Sequence, residues 1–399
     1  MNALTPSSVA SSSVTSTTGR RLLIALYVLA VFLYWISLYL YVPTLPVYVQ
    51  SKTSNLALVG VVLSMYGLWQ AIIRLPLGIV ADWLGWRKPF VIIGFILAGV
   101  GAWMMGVASD ANGLIMGRAI SGLAAGIWVL LVVVFNGLFP PEDAVRASAL
   151  LTMIGSVGRM LATGVTGWLN ELGGYSLAFF LAAAAAAIAA LIILPVRENR
   201  RSPQRPSVRS IGVLVVRRDV LLPSLLSAVS QYANWAITFG FMAILAKQLG
   251  ATDVTQSILV ATNIGVVTLG NLAATAIVRR IGARRLVYSS FLLMSFGIGE
   301  AALASSLTMV FLAQICLGVS QGIGYPVLMG MSIERVVEAE RATAMGLHQA
   351  VYAVGMFCGP WLSGILADAI GIRPMFLVTC FACLIAGLLG THKLIRRKT

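Results

Sequence analysis

The segment GIVADWLGWRK, residues 78–88, lies between two long apolar stretches of the chain. It places two glycines, one acid and two basic residues close together, although only 10% of the chain is charged. A weaker copy occurs 197 positions later, in residues 275–285, where a glycine and the basic residues remain and Arg279 replaces the acid. A short polar loop that recurs between apolar stretches indicates a duplicated membrane protein.

The composition indicates a protein whose main solvent is lipid. Of the 399 residues, 59% are hydrophobic, and the mean hydropathy is +0.92. A bilayer core about 30 Å thick is crossed by a helix of roughly 20 apolar residues. Segments of that length predict twelve membrane spans, at residues 22–46, 56–82, 89–109, 112–137, 144–170, 174–196, 220–246, 254–279, 286–306, 308–331, 341–367 and 374–391.

The two halves of the chain resemble each other. When the sequence is shifted by 197 positions, Gly167 falls on Gly364 and Phe179 falls on Phe376. Such a repeat predicts an all-α integral membrane protein, with twelve transmembrane helices in two pseudo-symmetric six-helix bundles. The predicted parts are a disordered cytoplasmic tail at 1–19, an N-terminal bundle at 20–196, a cytoplasmic linker at 197–219 and a C-terminal bundle with a short basic tail at 220–399.

Most basic residues fall on one side of the predicted bundle. The net charge is +15, and the loops on the side of the N-terminus carry nearly all of it, whereas the other side has Lys52, Lys247 and Arg373. Short basic loops are retained in the cytoplasm, so both termini are expected there, in a multi-pass protein of the cell (inner or plasma) membrane. Since no soluble domain carries the charge, a nucleic-acid partner is not expected, and the basic loops should meet anionic lipid headgroups.

The polar loop resembles the signature of the major facilitator superfamily. In that family the connection between helices 2 and 3 reads Gly-x-x-x-Asp-x-x-Gly-Arg-Arg/Lys, and the matching residues here are Gly78, Asp82, Gly85, Arg87 and Lys88. One extra residue, a tryptophan, separates the second glycine from the first arginine. The resemblance extends from helix 1 to helix 12, and it implies a monomeric transporter in which two bundles rock around a central site.

These five loop residues are expected to form a conformational latch. Gly78 is expected to permit close helix contact, and Gly85 is expected to permit a tight turn. Asp82 places a carboxylate at a helix end where the helix dipole opposes it, so it needs partners. The resemblance implies that its partner is the start of helix 11, near Arg341, in a contact that closes the cytoplasmic side. A solvated turn at the membrane interface is the alternative.

Two arginines inside predicted spans are candidates for coupling or substrate binding. Arg118, followed by Gly122 and Gly126, resembles the family's second motif, Arg-x-x-x-Gly-x-x-x-Gly, whose arginine is associated with proton coupling. Snorkelling of the Arg118 side chain to the membrane interface is the alternative. Arg159 falls near the middle of helix 5, where the family's drug antiporters carry a Gly-Pro pair that this chain lacks. A buried acid, helix carbonyls or an anionic substrate should meet Arg159, because a midplane arginine costs at least about 2.5 kcal/mol.

Acidic residues are scarce in the predicted spans. Of thirteen, only Glu300 falls well inside a span, in helix 9, and a structural role is favoured for it over proton transfer. The predicted cavity helices 1, 4, 7 and 10 contain no internal acid, so an organic cation would lack a counter-ion there. Neutral or anionic substrates are therefore favoured. Arg74, on helix 2, is expected to be structural.

Aromatic and amide side chains are dense in the helices expected to surround the central site. Flat apolar faces with a few oriented polar groups suit a medium-sized organic molecule. Helix packing and interfacial aromatic belts are expected to account for about half of these side chains. The residues predicted to line the cavity are Tyr34, Trp35, Trp128, Gln231, Tyr232, Trp235, Gln314, Gln321, Tyr325, His348 and Gln349.

Other kinds of machinery are not expected. None of the lysines follows a glycine, so the chain lacks a phosphate-binding Gly-Lys loop and cannot be driven by its own ATP hydrolysis. Its two histidines do not form a zinc-binding pair, and its four cysteines fall in predicted spans, where they are expected to be packing residues. Neither a metal, a cofactor nor an enzymatic activity is therefore expected.

Three functional classes remain. The leading hypothesis is a secondary active transporter that exports small organic molecules by alternating access, with protons as the coupling ion. The second is uptake or exchange of an organic anion or a sugar-like solute, which Arg118, Arg159 and the amide-rich cavity favour. The third is a lipid flippase or a non-transporting sensor. The expected partners are a small-molecule substrate, membrane lipids and protons.

Overall fold

The computed structural model describes residues 17–196, 212 and 214–394. The described residues form helices and no strands, which confirms the predicted all-helical fold. Most of the predicted tail, residues 1–19, lies outside the described residues, and its last residues belong to the first helix. Most of the predicted linker, residues 197–219, also lies outside them.

The N-terminal half ends in a long helix that doubles back. Its helices are α1 Thr17–Tyr39, α2 Leu45–Gln50, α3 Leu56–Leu84, α4 Lys88–Val107, α5 Ala111–Ala125, α6 Trp128–Asn136 and α7 Ala144–Ile193. Within α7, Gly174 has φ 68° and ψ 178°, a conformation that glycine adopts readily. Beyond it, the Ser176 hydroxyl donates to the Gly106 carbonyl and the Lys88 ammonium donates to the Leu194 carbonyl. The second arm of α7 therefore runs antiparallel to α4, and α7 crosses the bundle twice.

The C-terminal half begins with an interrupted span. Its helices are α8 Arg218–Ala233, α9 Met242–Gln248, α10 Asp253–Ile281, α11 Ala283–Leu303, α12 Leu307–Ile333, α13 Arg341–Ile370 and α14 Ile372–His392. Between α8 and α9 the residues Asn234–Phe241 form a π-helical turn, with non-helical torsions at Gly240. The span predicted at 220–246 thus consists of α8, the π-helical turn and α9, and it is not one regular helix. Such turns are frequent at functional sites.

The membrane spans agree with the predicted arrangement. Ten helices among the described residues are long and apolar enough to cross a membrane. One of them, Arg146–Ile193, contains both arms of α7, and the interrupted segment α8–α9 is not among the ten. The helices are thus consistent with the twelve predicted crossings.

The two faces of the bundle differ in charge and in how the halves meet. The face at which α1 begins and α14 ends is called the basic face, and the other is called the opposite face. Across the halves, α3 packs against α13 and α7 packs against α10. At the opposite face the Leu56 amide donates to the Asp368 carboxylate at 2.9 Å, and the Asn170 amide donates to the Asp253 carboxylate at 2.9 Å. These contacts hold the halves together at the opposite face.

Candidate functional site

A cavity of about 380 Å³ lies between the two halves. This volume is within the usual range for a site that holds a small organic molecule. The N-terminal half lines it with Trp35, Tyr39, Tyr66, Gln70, Arg74, Ala125, Trp128, Thr152, Gly155 and Arg159. The C-terminal half lines it with Gln231, Asn234, Trp235, Phe239, Asn263, Ile264, Val267, Thr268, Asn271, Gln321, Tyr325, Met329, Gln349, Tyr352 and Met356.

Aromatic side chains from both halves form much of the wall. The Tyr66 ring stacks on the Trp235 ring across the halves, with centroids 5.0 Å apart. Tyr39 meets Phe239 edge-on at 6.3 Å, so α1 also contacts the π-helical turn. Such faces offer apolar area to a flat ligand and keep their polar atoms free to orient it.

Arg159 is placed on the cavity wall by an aromatic stack. Its guanidinium lies 4.8 Å from the Trp35 ring centroid and 5.7 Å from that of Tyr39. It donates to the Gly155 carbonyl at 3.3 Å and to the Ser156 hydroxyl at 3.1 Å. A methyl group at Gly155 would lie 2.6 Å from the Trp35 indole nitrogen, so glycine is what lets the indole reach this position. Of the partners expected for Arg159, the structure shows a helix carbonyl.

Arg74, which the sequence predicts to be structural, also lines the cavity. Its side chain is 7% exposed, and its Nη1 donates to the Tyr352 hydroxyl of the other half at 2.8 Å. Its Nε is buried without a hydrogen-bond partner. The sequence does carry a signal for this position, because Tyr66, Gln70 and Arg74 recur every four residues on one face of an otherwise apolar helix.

Arg118 lies just behind the cavity wall. Its side chain is 2% exposed, and its guanidinium lies 4.5 Å from the centroid of Tyr66, which does line the cavity. Its Nε and Nη1 are buried without hydrogen-bond partners. The alternative of snorkelling to the interface is contradicted, because the charged end is enclosed by protein.

Seven of the residues predicted to line the cavity do so: Trp35, Trp128, Gln231, Trp235, Gln321, Tyr325 and Gln349. Four others, Tyr34, Tyr232, Gln314 and His348, do not line it, contrary to the prediction.

Each of those four is held in a contact between helices. The Tyr34 hydroxyl donates to the Ala124 carbonyl at 3.0 Å, and the Tyr232 hydroxyl lies 3.1 Å from that of Ser363. The Gln314 side chain lies 3.2 Å from the amide of Asn263, and the His348 ring lies 3.1 Å from the Ser224 hydroxyl. Each of the four side chains thus has a hydrogen-bond partner on a neighbouring helix, although the second ring nitrogen of His348 is buried without one.

The charge of the cavity is one-sided. Arg74 and Arg159 line it, and the described lining residues include no aspartate or glutamate. Both guanidinium groups therefore belong to the lining of one cavity. An arginine at the centre of a membrane helix costs at least about 2.5 kcal/mol, which a bound anion would offset. Glu300 is on α11, outside the cavity lining, and its Oε2 is buried without a hydrogen-bond partner.

The predicted latch is only partly described. Gly85 ends α3 with φ 63°, as a tight turn requires. A methyl at Gly78 would meet nothing within 4 Å among the described residues, so none of them makes the expected close helix contact at this glycine. The Asp82 side chain lies outside the described residues, and its partner near Arg341 stays a prediction. Arg341 itself donates to the Val336 carbonyl at 3.3 Å.

The remaining loop residues belong to the start of the next helix. Arg87 precedes α4, and Lys88 is its first residue. The Lys88 ammonium lies 2.5 Å from the Leu194 carbonyl, so it ties α4 to the end of α7.

Comparison with known proteins supports this architecture over most of the described chain. The sequence model of the Major Facilitator Superfamily matches residues 27–230 and again 224–399. The multidrug resistance protein MdtH of Aeromonas salmonicida is 25% identical over 81% of this chain and 86% of its own.

Solved structures share the fold. That of the nucleoside transporter NupG is 18% identical, covers 94% of this chain and 100% of its own, and has a TM-score of 0.78. A bacterial homologue of the human lysosomal transporter Spinster, in an inward-facing and unoccupied conformation, is 15% identical, covers 95% and 99%, and also has a TM-score of 0.78.

Proposed function

Because this multi-pass membrane protein belongs to the major facilitator superfamily and is a secondary transporter of that type, we propose that it exports small organic molecules in exchange for protons. The substrate occupies the central cavity, and the halves rock around it as a monomer in the cell membrane. The excess of arginine in the loops of the basic face supports an orientation in which this face and both termini are cytoplasmic.

The observation that carries this proposal is the cavity between the halves. Its aromatic walls and amide groups suit organic molecules of varied shape, and its volume of about 380 Å³ suits medium-sized ones. At the opposite face the halves are joined by the Leu56–Asp368 and Asn170–Asp253 hydrogen bonds. In the proposed orientation this conformation is closed to the outside, which is the state that an exporter loads from the cytoplasm. The printed name of another relative, the purine ribonucleoside efflux pump NepI of Escherichia coli, supports this direction.

Proton coupling is proposed to act through Arg118. This buried cation touches Tyr66 on the cavity wall, so a substrate that displaces Tyr66 changes the surroundings of the charge. The described lining residues include no carboxylate, and an arginine does not release its proton in a protein. Arg118 is therefore proposed to act through its fixed charge and not as the proton carrier. The loop residues Gly78, Asp82, Gly85, Arg87 and Lys88 are proposed to close the basic face in the alternate state.

Substrate-driven proton movement tests the proposal. Purified protein would be reconstituted into liposomes with a pH-sensitive dye inside, and aromatic compounds would be added under an imposed pH gradient. We expect protons to move in the direction opposite to a transported compound. The Arg118→Gln variant should still bind the compound, but its transport should no longer depend on the pH gradient. Arg146→Gln, an exposed arginine at the basic face, is the matched control. Transport that ignores the pH gradient would contradict the coupling.

Uptake or exchange of an organic anion or a sugar-like solute is the second candidate. The amides of the C-terminal half favour it, because Gln231, Asn234, Gln321 and Gln349 could hydrogen-bond hydroxyl groups. Counterflow in liposomes without a proton gradient would distinguish it, since an exchanger moves labelled solute against unlabelled solute under those conditions. No observation favours a flippase or a non-transporting sensor.

A further inference from the structure

We propose that the transported molecule carries an anionic group, which Arg74 and Arg159 of the N-terminal half bind together, while neutral polar groups of the molecule bind the amides of the C-terminal half. This inference rests on the proposed transport function and names the substrate class of the same cavity. It applies to export and to uptake alike.

The two arginines come from different helices and converge on one region. Arg74 is on α3 and Arg159 is on α7, and both line the same cavity. No carboxylate among the described lining residues neutralises them. Two permanent positive charges in a low-dielectric cavity attract an anion more strongly than they would in water, because the attraction is poorly screened there.

Each guanidinium is held in place and keeps donors free. Arg74 is more than nine-tenths buried, uses Nη1 on the Tyr352 hydroxyl, and leaves Nε without a partner. Arg159 is stacked on Trp35 and uses Nε and one terminal nitrogen on its own helix. A guanidinium fixed in this way pairs with a carboxylate at little further entropic cost.

The internal repeat shows that the charge belongs to one half alone. The positions 197 residues after Arg74 and Arg159 are Asn271 and Met356, and both line the same cavity. The pseudo-symmetric wall thus has two cations on one side and an amide and a thioether at the equivalent places. A ligand that fits both walls is itself asymmetric, with an anion at one end and an uncharged polar or apolar body at the other.

The aromatic walls indicate that this body is flat. Trp128 and Phe239 line the cavity beside the Trp35–Arg159 stack. Aromatic carboxylates of one or two rings fit the volume of about 380 Å³ together with the charge pattern.

Binding measurements on the purified full-length protein test the inference. A library of one- and two-ring aromatics would be prepared, with each ring carrying a carboxylate, a carboxamide or an aminomethyl group. Thermal shift would detect binders, because a ligand of the folded state raises its apparent stability, and titration calorimetry would give affinities. The variants are Arg159→Gln, Arg74→Gln and Arg159→Lys, with Arg146→Gln, on α7 and exposed, as the matched control.

We expect carboxylates to bind more tightly than the corresponding amides. Because each substitution removes a charged hydrogen bond, Arg159→Gln and Arg74→Gln should each weaken carboxylate binding about tenfold or more. Amide binding should change little in these variants, and Arg159→Lys should recover part of the carboxylate affinity. If amides or amines bind as well as carboxylates, if no carboxylate binds, or if Arg159→Gln and Arg74→Gln both leave carboxylate affinity intact, the inference is overturned. Should one variant fail to fold, the other gives the same comparison.

The outcome is separable from that of the proposed function. A protein that transports amides or amines and excludes carboxylates keeps the transport proposal and loses the anion site. A protein that binds carboxylates but moves none of them across a liposome membrane keeps the anion site and loses the transport proposal.

Discussion

Adding one methyl group at Gly167 should open the opposite face. Gly167 lies on α7 against α10, and a methyl there would overlap backbone atoms of Val254 and Asp253. Real side-chain carbons essentially never come within 3.0 Å of such atoms, so the two helices must separate by roughly an ångström. The Asn170–Asp253 hydrogen bond, one turn further along, would lengthen as well.

The size of the effect follows from overpacking. An extra carbon in a well-packed interface costs about 1–3 kcal/mol. The cost falls on the conformation that is closed at this face and is relieved when the halves part there. The ratio of closed to open molecules should therefore fall by roughly 5- to 150-fold in Gly167→Ala. Helix propensity does not enter the ratio, because α7 is helical in both conformations.

Gly164→Ala is the matched control, three residues earlier on the same helix. Its methyl would lie 3.8 Å from the Ala261 side chain, an ordinary contact. Spin labels on cysteines at the exposed residues Ser54 and Ser305, with the four native cysteines replaced, would report the distance between the halves at the opposite face. Longer distances in Gly167→Ala alone are expected. Equal distance distributions in the two alanine variants would refute the reasoning.

Three further predictions concern charged groups. Asp368→Ala should weaken closure of the opposite face by about 1 kcal/mol, because the Leu56 amide loses its acceptor, and the same spin-label distances would show it. Asp82→Asn should leave thermal stability largely intact and reduce the transport rate, and a well-folded Asp82→Asn protein with normal turnover would contradict the latch. At the basic face the hydrogen-bonded Arg217 guanidinium lowers the pKa of the Asp219 carboxyl. This ion pair should contribute under about 1 kcal/mol to the free energy of unfolding. The contribution should be present above the pKa of Asp219 in the unfolded chain, near 4, and should be lost as the pH falls through the lower pKa of the folded protein. The melting temperatures of wild type and Asp219→Asn should therefore converge below about pH 4.

The spans and the two-fold repeat could be predicted because they depend on local composition. A helix that crosses lipid must satisfy its own backbone hydrogen bonds and present apolar side chains, which leaves a long, readable signal in the chain. The break at Gly240 left no comparable signal. A π-helical turn is stabilised by the helices packed around it, and the residues 220–246 read as one apolar run.

Pairs of neighbouring residues show that the sequence could not predict which side chains face the cavity. Tyr34 and Trp35 are adjacent on α1, yet Trp35 lines the cavity and Tyr34 bonds the Ala124 carbonyl. Gln231 and Tyr232 differ in the same way, since only Gln231 lines the cavity. Successive residues on a helix point about 100° apart, so a small rotation of the helix decides which one faces the ligand.

The sequence by itself therefore determined that the protein lies in a membrane, that its two halves are repeats, that a polar loop lies at 78–88 and that arginines lie in the spans. Each of these follows from composition or from the spacing of residues along the chain. The sequence did not determine that Arg74 and Arg159 share one cavity wall, since they lie on α3 and α7, far apart in the chain. Only the tertiary structure decided that, together with the absence of a carboxylate beside them among the described lining residues. The rotation of each helix about its axis is set by packing against its neighbours, and that rotation turns scattered polar residues into one site.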